Sequence, residues 1–271
     1  MLIPFHKMHG AANDFIVVDD RQQTFPIHDQ EWMAAVMARN TGIGSEGILL
    51  IQPSESADFR MRFFNPDGGE VDMCGNGARC IARLARELGV ASDTMTFNTL
   101  AGVVSAEVMG DIVRLTLTPP VDWRMDQTLT VDGETVRYHF VNSGVPHVVI
   151  EVADVSAVDV PALGVAIRSH DDFSPGGTNV NFITVTGSNA LRLRTYERGV
   201  EAETPACGTG IVASALLAGR AGRVAPPVLI TSAGGHELTV DYRLTEEGAE
   251  DVTLTGPTEH VFQGAIEYGA H

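Results

Sequence analysis

Short apolar runs with the two-residue period of a pleated strand dominate this chain. They predict strands at Ile16–Asp19, Ile48–Ile51, Phe59–Phe64, Met95–Asn98, Val103–Met109 and Ile112–Thr118. A second set follows at Thr135–Val141, His147–Val152, Asn181–Val185, Leu191–Tyr196, Val228–Thr231, Glu237–Tyr242, Val252–Thr255 and Val261–Ile266. Helix-forming stretches are few: Glu31–Arg39, Ala78–Leu88, Pro161–Arg168 and Ile211–Ala218. Gly89 closes the second as a C-cap. Ile211–Ala218 has no polar side chain except Ser214, so it must be buried on every side, with strands around it.

The two halves repeat one order of elements, and a local repeat lies inside that order. Phe63–Leu84 reads FFNPDGGEVDMCGNGARCIARL and Tyr196–Leu217 reads YERGVEAETPACGTGIVASALL. Each passes from a strand end through a polar loop, with a glutamate four residues before a cysteine, into Cys-Gly-x-Gly and an apolar helix. Cys74 and Cys207 are 207 − 74 = 133 residues apart, and the same offset carries Gly44 of TGIGSEG onto Gly177 of SPGGTNV. The expected fold is therefore α+β: two similar domains from an internal duplication, each a mostly antiparallel, barrel-like sheet wrapped around a central helix. The boundary is expected near Pro119-Pro120, which gives domains over 1–119 and 120–260.

Composition narrows the chemistry. At 271 residues with 44% hydrophobic and 20% charged residues, the chain has the balance of an ordinary globular protein. A net charge of −17 disfavours nucleic acid and anionic membranes as partners, since both call for a basic surface. No apolar run approaches the ~18 residues of a membrane span. MLIPFHKMHG lacks the basic and apolar regions of an export signal, so a cytoplasmic protein is expected. Three cysteines, Cys74, Cys80 and Cys207, form neither a disulfide framework nor a paired metal set, and no metal is expected. Lys7 is the single lysine, which makes a Schiff-base pyridoxal enzyme improbable, and no cofactor is expected.

A thiol at a helix N-terminus feels the positive end of the helix dipole, and such cysteines ionise more readily than a free one. The amides of Gly75, Asn76, Gly208 and Thr209 can clasp a carboxylate there. Two such loops meeting on one amino-acid α-carbon would let one thiolate remove a proton from one face while the other thiol donates to the opposite face. Inversion then needs a base and an acid of similar pKa that exchange roles, which a duplicated fold supplies. Cys80 lies within the helix, lacks the glycine partners and reads as a packing residue.

HGAANDFIVVDD, TGIGSEG, FFNPDGGEVDMCGNGARC, GVPH, NVNFI and YERGVEAETPACGTG together resemble the diaminopimelate epimerase family along essentially the whole chain. The resemblance implies interconversion of LL- and meso-2,6-diaminopimelate on the bacterial route to lysine and peptidoglycan, a diamino-dicarboxylate as small-molecule substrate, and a homodimer. It implies that the last strand, within 261–271, completes the first domain. It gives Cys74 and Cys207 the roles of base and acid, with His147 and Glu197 as a polar pair beside the thiols. Gly75, Asn76, Gly208 and Thr209 become the cradle of the reacting carboxylate. Asn13, Asn65, Asn179 and Arg198 become contacts to the distal end.

Without the family, Asn13 and Asn65 read as turn residues, Arg198 as a surface ion pair and His147 as a strand end after Pro146. Many members read Gly-Asn-Pro-His where this chain has Gly144-Val145-Pro146-His147. An apolar side chain there removes one distal polar contact and loosens discrimination. Two rivals stay open: a proline or hydroxyproline racemase-type enzyme, and a thiol redox sensor using Cys74 and Cys207.

Overall fold

Runs of apolar residues longer than a one-sided strand needs, such as Ile48–Ile51, call for cover on both faces of a sheet. The computed structural model, which describes residues 1–269, provides it. In chain order the elements are β1 (Leu2–Gly10), β2 (Asn13–Asp19), α1 (Gln30–Met37), β3 (Ile48–Gln52), β4 (Phe59–Phe64), β5 (Glu70–Val71), α2 (Gly75–Glu87), β6 (Thr94–Thr99), β7 (Gly102–Met109) and β8 (Ile112–Thr116). They continue with β9 (Val121–Val131), β10 (Glu134–Asn142), β11 (Pro146–Glu151), α3 (Val160–Arg168), β12 (Asn179–Gly187), β13 (Ala190–Glu197), β14 (Ala202–Thr204), α4 (Gly208–Arg220), β15 (Val228–Thr231), β16 (Glu237–Leu244), β17 (Ala249–Pro257) and β18 (Glu259–Glu267). The chain divides into two compact units, Met1–Leu115 with the segment from Gly256 on, and Thr116–Thr255.

The duplication shows in the pairings. In the first unit β2 runs antiparallel to β1 and parallel to β3; β4 is antiparallel to β3 and β5 and parallel to β6, which pairs antiparallel with β7. The second unit repeats this order with β10, β11, β12, β13, β14, β15 and β16. Even the register carries over: Ile16 faces Ile48, and Val149 faces Asn181. Each parallel step is bridged by a helix, as parallel strands require.

In the first unit Ile16, Val18, Ile48 and Leu50 pack with Met33, Val36 and Met37 of α1. Leu49 and Phe15 lie against Gly77 of α2, on the opposite face. All five residues of β3 are buried as a result. The second unit places Val148, Ile150, Val180 and Phe182 against Val160 and Ile167 of α3. The alternate residues of β11 and β12, His147 and Asn181 among them, face α4, where both meet Gly210. As its sequence requires, α4 is buried from Gly210 to Ala218.

Strands β1 and β9, and the short β5 and β14, carry no clear pattern in the sequence. In β1, Pro4 and Lys7 interrupt the alternation, yet Lys7 is only 5% exposed and pairs with Asp14 at 2.5 Å. Most of β9 is exposed; its hairpin to β10 turns at Asp132-Gly133, both with positive φ, the pair that suits a two-residue turn. β14 is three residues long. The segment Val261–Ile266 lies in β18, antiparallel to β1; Ala270 and His271, the end of the expected closing segment, lie outside the described residues.

Candidate active site

Both central helices begin three residues before their apolar runs, and the residue that caps each is a cysteine. Cys74 caps α2 with φ/ψ of −135°/123°, and Cys207 caps α4 with −111°/109°. Neither side chain makes a capping hydrogen bond to its helix. The first helical bonds are Ala78 N–H to Cys74 O and Ile211 N–H to Cys207 O. The amides of residues 75–77 and 208–210 precede the i→i−4 ladder of their helices and lie at the positive end of the dipole. Of the two glycines in each motif, the second serves packing: a Cβ on Gly77 would lie 3.2 Å from the Leu49 side chain, and one on Gly210 would lie 2.4 Å from Asn181 Oδ1.

In the first unit Cys74 is half-buried, and its thiol donates to Asn13 Oδ1 at 3.6 Å. Asn13 opens β2 directly after Ala11 and Ala12, two residues held at positive φ of 56° and 62° in the two-residue turn between Gly10 and Asn13. Such strain in residues other than glycine is found where a side chain must be placed. Asn76 Nδ2 donates to the same Asn13 oxygen at 3.4 Å, and Asn76 Oδ1 accepts from Arg79 at 2.9 Å. Arg79 is fully buried and has no ion pair among the described residues; its remaining bond is to Gly75 O at 3.4 Å, while its Nε has no partner. Burial depresses its basicity, against the attraction of the Cys80 and Cys74 sulfurs. Asn65 stands in the tight loop after β4, closed by Asn65 N–H to Gly69 O and Gly68 N–H to Asn65 O, each 2.8 Å.

The second unit surrounds its cysteine differently. Cys207 is 6% exposed, and its Sγ lies 3.6 Å from Thr209 Oγ1. Thr209 Oγ1 lies 2.9 Å from His147 Nε2, and His147 Nδ1 lies 3.0 Å from Asn181 Nδ2. His147 is fully buried; burial first, and then the Arg198 charge, lower its pKa to about 3, so the imidazole is neutral. Asn179 Nδ2 donates to Pro146 O and its Oδ1 accepts from Arg198 N–H, both at 2.9 Å. Arg198 donates to Gly176 O and Gly177 O and lines a hollow of about 250 Å³ with Arg124, Pro146 and Phe173. No carboxylate pairs with its guanidinium among the described residues, so the surface ion pair expected of an isolated arginine is not what holds it. Glu197 Oε2 accepts from Thr204 Oγ1 at 2.8 Å.

The structure thus joins Cys74, Asn13 and Asn76 in the first unit, and Cys207, Thr209 and His147 in the second. Arg79, Asn181 and Thr195 were not foreseen. An arginine one turn past Asn76 on a helix of small apolar residues was the available signal for the first, and an asparagine between Val180 and Phe182 in a strand that must be buried was the signal for the second. Lys7 donates to Gly44 O as well as pairing with Asp14, so its amine is committed to the fold. Among the described residues no group of three His, Cys, Asp or Glu side chains gathers as a metal set.

The family model for diaminopimelate epimerase matches residues 5–121 and 139–261. The chain is 43% identical over 274 residues to a diaminopimelate epimerase of Aquifex aeolicus, covering 97% of each, and 40% identical to one of Chlorobaculum tepidum, covering 96% of this chain and 99% of the relative. A phenazine biosynthesis protein of the PhzF family from Bacillus anthracis has the same fold, with a TM-score of 0.73 at 15% identity over 99% of this chain and 100% of that one. So does a hydroxyproline epimerase from Agrobacterium vitis with bound trans-4-hydroxy-L-proline, with a TM-score of 0.71 at 18% identity over 98% and 92%. With sequence identity of this order over nearly its full length, the chain belongs to the diaminopimelate epimerase family and is an isomerase.

Proposed function

We propose that the protein interconverts LL- and meso-2,6-diaminopimelate without a cofactor, Cys74 and Cys207 acting as a base and acid that exchange roles with the direction of reaction. The observation that carries this reading is the repeated N-cap: two cysteines at equivalent positions of a duplicated fold, each opening a helix whose first amides precede its i→i−4 ladder. One thiolate takes the α-proton, and the other thiol delivers one to the opposite face. Negative charge then spreads onto the α-carboxylate, where the amides of Gly75, Asn76, Gly208 and Thr209 stabilise it; preorganised donors of this kind are usually the largest contribution to such a rate enhancement.

The substrate's second amino-acid end calls for polar partners. Arg198, whose backbone Asn179 holds and whose guanidinium pairs with no carboxylate among the described residues, suits the distal carboxylate, because a guanidinium grips one with two parallel bonds. Asn13, Asn65 and Asn179 complete that end. Neutral His147 acts on Cys207 through the Thr209 hydroxyl rather than as a base, and Glu197 is the other member of the polar pair that serves the thiols. A homodimer, a cytoplasmic location and a place in lysine and peptidoglycan precursor synthesis belong to the same reading.

The test is epimerisation of LL- and meso-diaminopimelate by the reduced protein, with L-proline and trans-4-hydroxy-L-proline in parallel and with Cys74→Ala and Cys207→Ala. Diaminopimelate alone should be turned over, and neither variant should be active. Turnover of proline instead would move the protein to the racemase branch. No loss of α-hydrogen from any amino acid would leave the redox reading ahead.

A further inference from the structure

Asn181 has no role in the proposed reaction, yet it sits at the root of the polar chain that ends on Cys207. It is fully buried in β12, and its amide has one orientation: Nδ2 donates to Val148 O at 2.8 Å, and Oδ1 accepts from the Thr195 hydroxyl at 2.9 Å. A flipped amide would set oxygen against the Val148 carbonyl. The second Nδ2 proton therefore points at His147 Nδ1, 3.0 Å away, and makes that nitrogen the acceptor. In a neutral imidazole the proton then resides on Nε2, since the tautomer is set by the bond the other nitrogen makes. Nε2 aims it at Thr209 Oγ1, 2.9 Å away. A hydroxyl that has accepted on one side gives its own proton to its other neighbour, here Cys207 Sγ at 3.6 Å. Every donor in the chain points towards the sulfur.

The packing is built around this arrangement. A Cβ at Gly210 would stand 2.4 Å from Asn181 Oδ1 and 3.4 Å from His147 Cε1, so the second glycine of the motif admits the pair. The duplicated half has nothing equivalent: 133 residues earlier, Asn181, His147 and Thr209 are replaced by Ile48, Asp14 and Asn76. There the Cys74 thiol donates to an amide oxygen. One cysteine is bonded as a thiol, while the other faces a hydroxyl free to donate.

We propose that Asn181, held by Thr195, is a positioning residue that locks His147 as the Nε2–H tautomer and thereby turns the Thr209 proton onto Cys207, stabilising the thiolate there. A hydrogen bond to the charged form favours that form and is stronger than one between neutral groups. The inference rests on the two-thiol reading, and it adds an asymmetry: the resting enzyme holds its thiolate on Cys207 and its thiol on Cys74.

The test is Asn181→Asp in the full-length, reduced protein. A carboxylate at this place accepts from Nδ1–H, leaves Nε2 as an acceptor and draws the Thr209 proton away from sulfur. Iodoacetamide alkylation of each cysteine, followed by peptide mass spectrometry across pH, should show Cys207 labelling at pH 7 falling about tenfold, one pH unit in its midpoint. The Cys74 profile should not move, and kcat should fall at least about tenfold with KM within about twofold. Should this variant fail to fold, Thr195→Val and the imidazole ¹⁵N spectrum of the unaltered protein decide. Thr195→Val should shift Cys207 in the same direction, and the spectrum should show a neutral Nε2–H ring for His147. A Nδ1–H ring, or Cys207 labelling that ignores both variants, overturns the proposal. If the unaltered protein epimerises nothing while these shifts appear, the reaction assignment fails and the positioning role stands.

Discussion

Replacing His147 with glutamine should flatten the acid limb of the stability curve. The buried ring has a pKa of about 3, against an ordinary 6.5. The folded state therefore binds the proton less readily than the unfolded chain does. Stability is intact above about pH 6.5 and is lost as pH falls towards 3, with a slope approaching 1.4 kcal/mol per pH unit. Between pH 6 and pH 4.5 this one residue costs about 2 kcal/mol by the same relation. His6 and His139 are also depressed by burial and act in the same direction, so the informative quantity is a difference between two proteins. Glutamine keeps an N–H donor for Thr209 but has nothing to titrate. Urea unfolding midpoints at half-unit steps from pH 4.5 to 7.5 supply the data. The unaltered protein should lose about 2 kcal/mol more than His147→Gln between pH 6 and pH 4.5. Parallel curves would mean that His147 is hydrated or already charged in the native state, and the neutral-ring argument would fail with them.

Further outcomes follow from packing and burial. Gly210→Ala forces a methyl to within 2.4 Å of Asn181 Oδ1, an overpacking that should cost about 1–3 kcal/mol and slow epimerisation; an unchanged urea midpoint counts against the close approach. Arg79→Met removes a buried charge whose desolvation costs several kcal/mol and whose two hydrogen bonds only partly offset it. It should leave stability unchanged or higher while activity falls, because Asn76 loses its anchor; a large loss of stability with full activity per folded molecule would reverse that assignment. Burial pushes the Cys80 thiol up to about 12, so native alkylation at pH 8 should spare it and urea should expose it. Rapid native labelling of Cys80 would show that α2 does not pack as described.

The sequence carried most of the secondary structure and the framework of the site. The period of two located the buried strands, and the uninterrupted apolar run of α4 showed a helix enclosed by sheet. The two Cys-Gly-x-Gly blocks marked both helix starts because a glycine-rich N-terminus and an apolar run leave few alternatives. Strands β1 and β9 were harder to read. One buries a lysine that its ion pair with Asp14 and its bond to Gly44 O make tolerable, and the other exposes most of its side chains. Arg79 and Asn181 were hidden for a related reason: a polar residue among apolar neighbours declares that it is buried, but its partners come from other elements. Thr195 lies on β13, and His147 comes from β11. Only the pairing of β11, β12 and β13 puts the three in one chain.

The two-thiol mechanism is tested most directly by following deuterium through the first turnovers in heavy water. The donating thiol exchanges with solvent, and the proton removed leaves on the other sulfur. Early meso product formed from LL-diaminopimelate should therefore carry deuterium at the inverted carbon, while recovered LL substrate remains protiated, and the reverse reaction should behave alike. Equal labelling of recovered substrate from the outset, or turnover surviving in Cys74→Ala or Cys207→Ala, would show that a single base does the work.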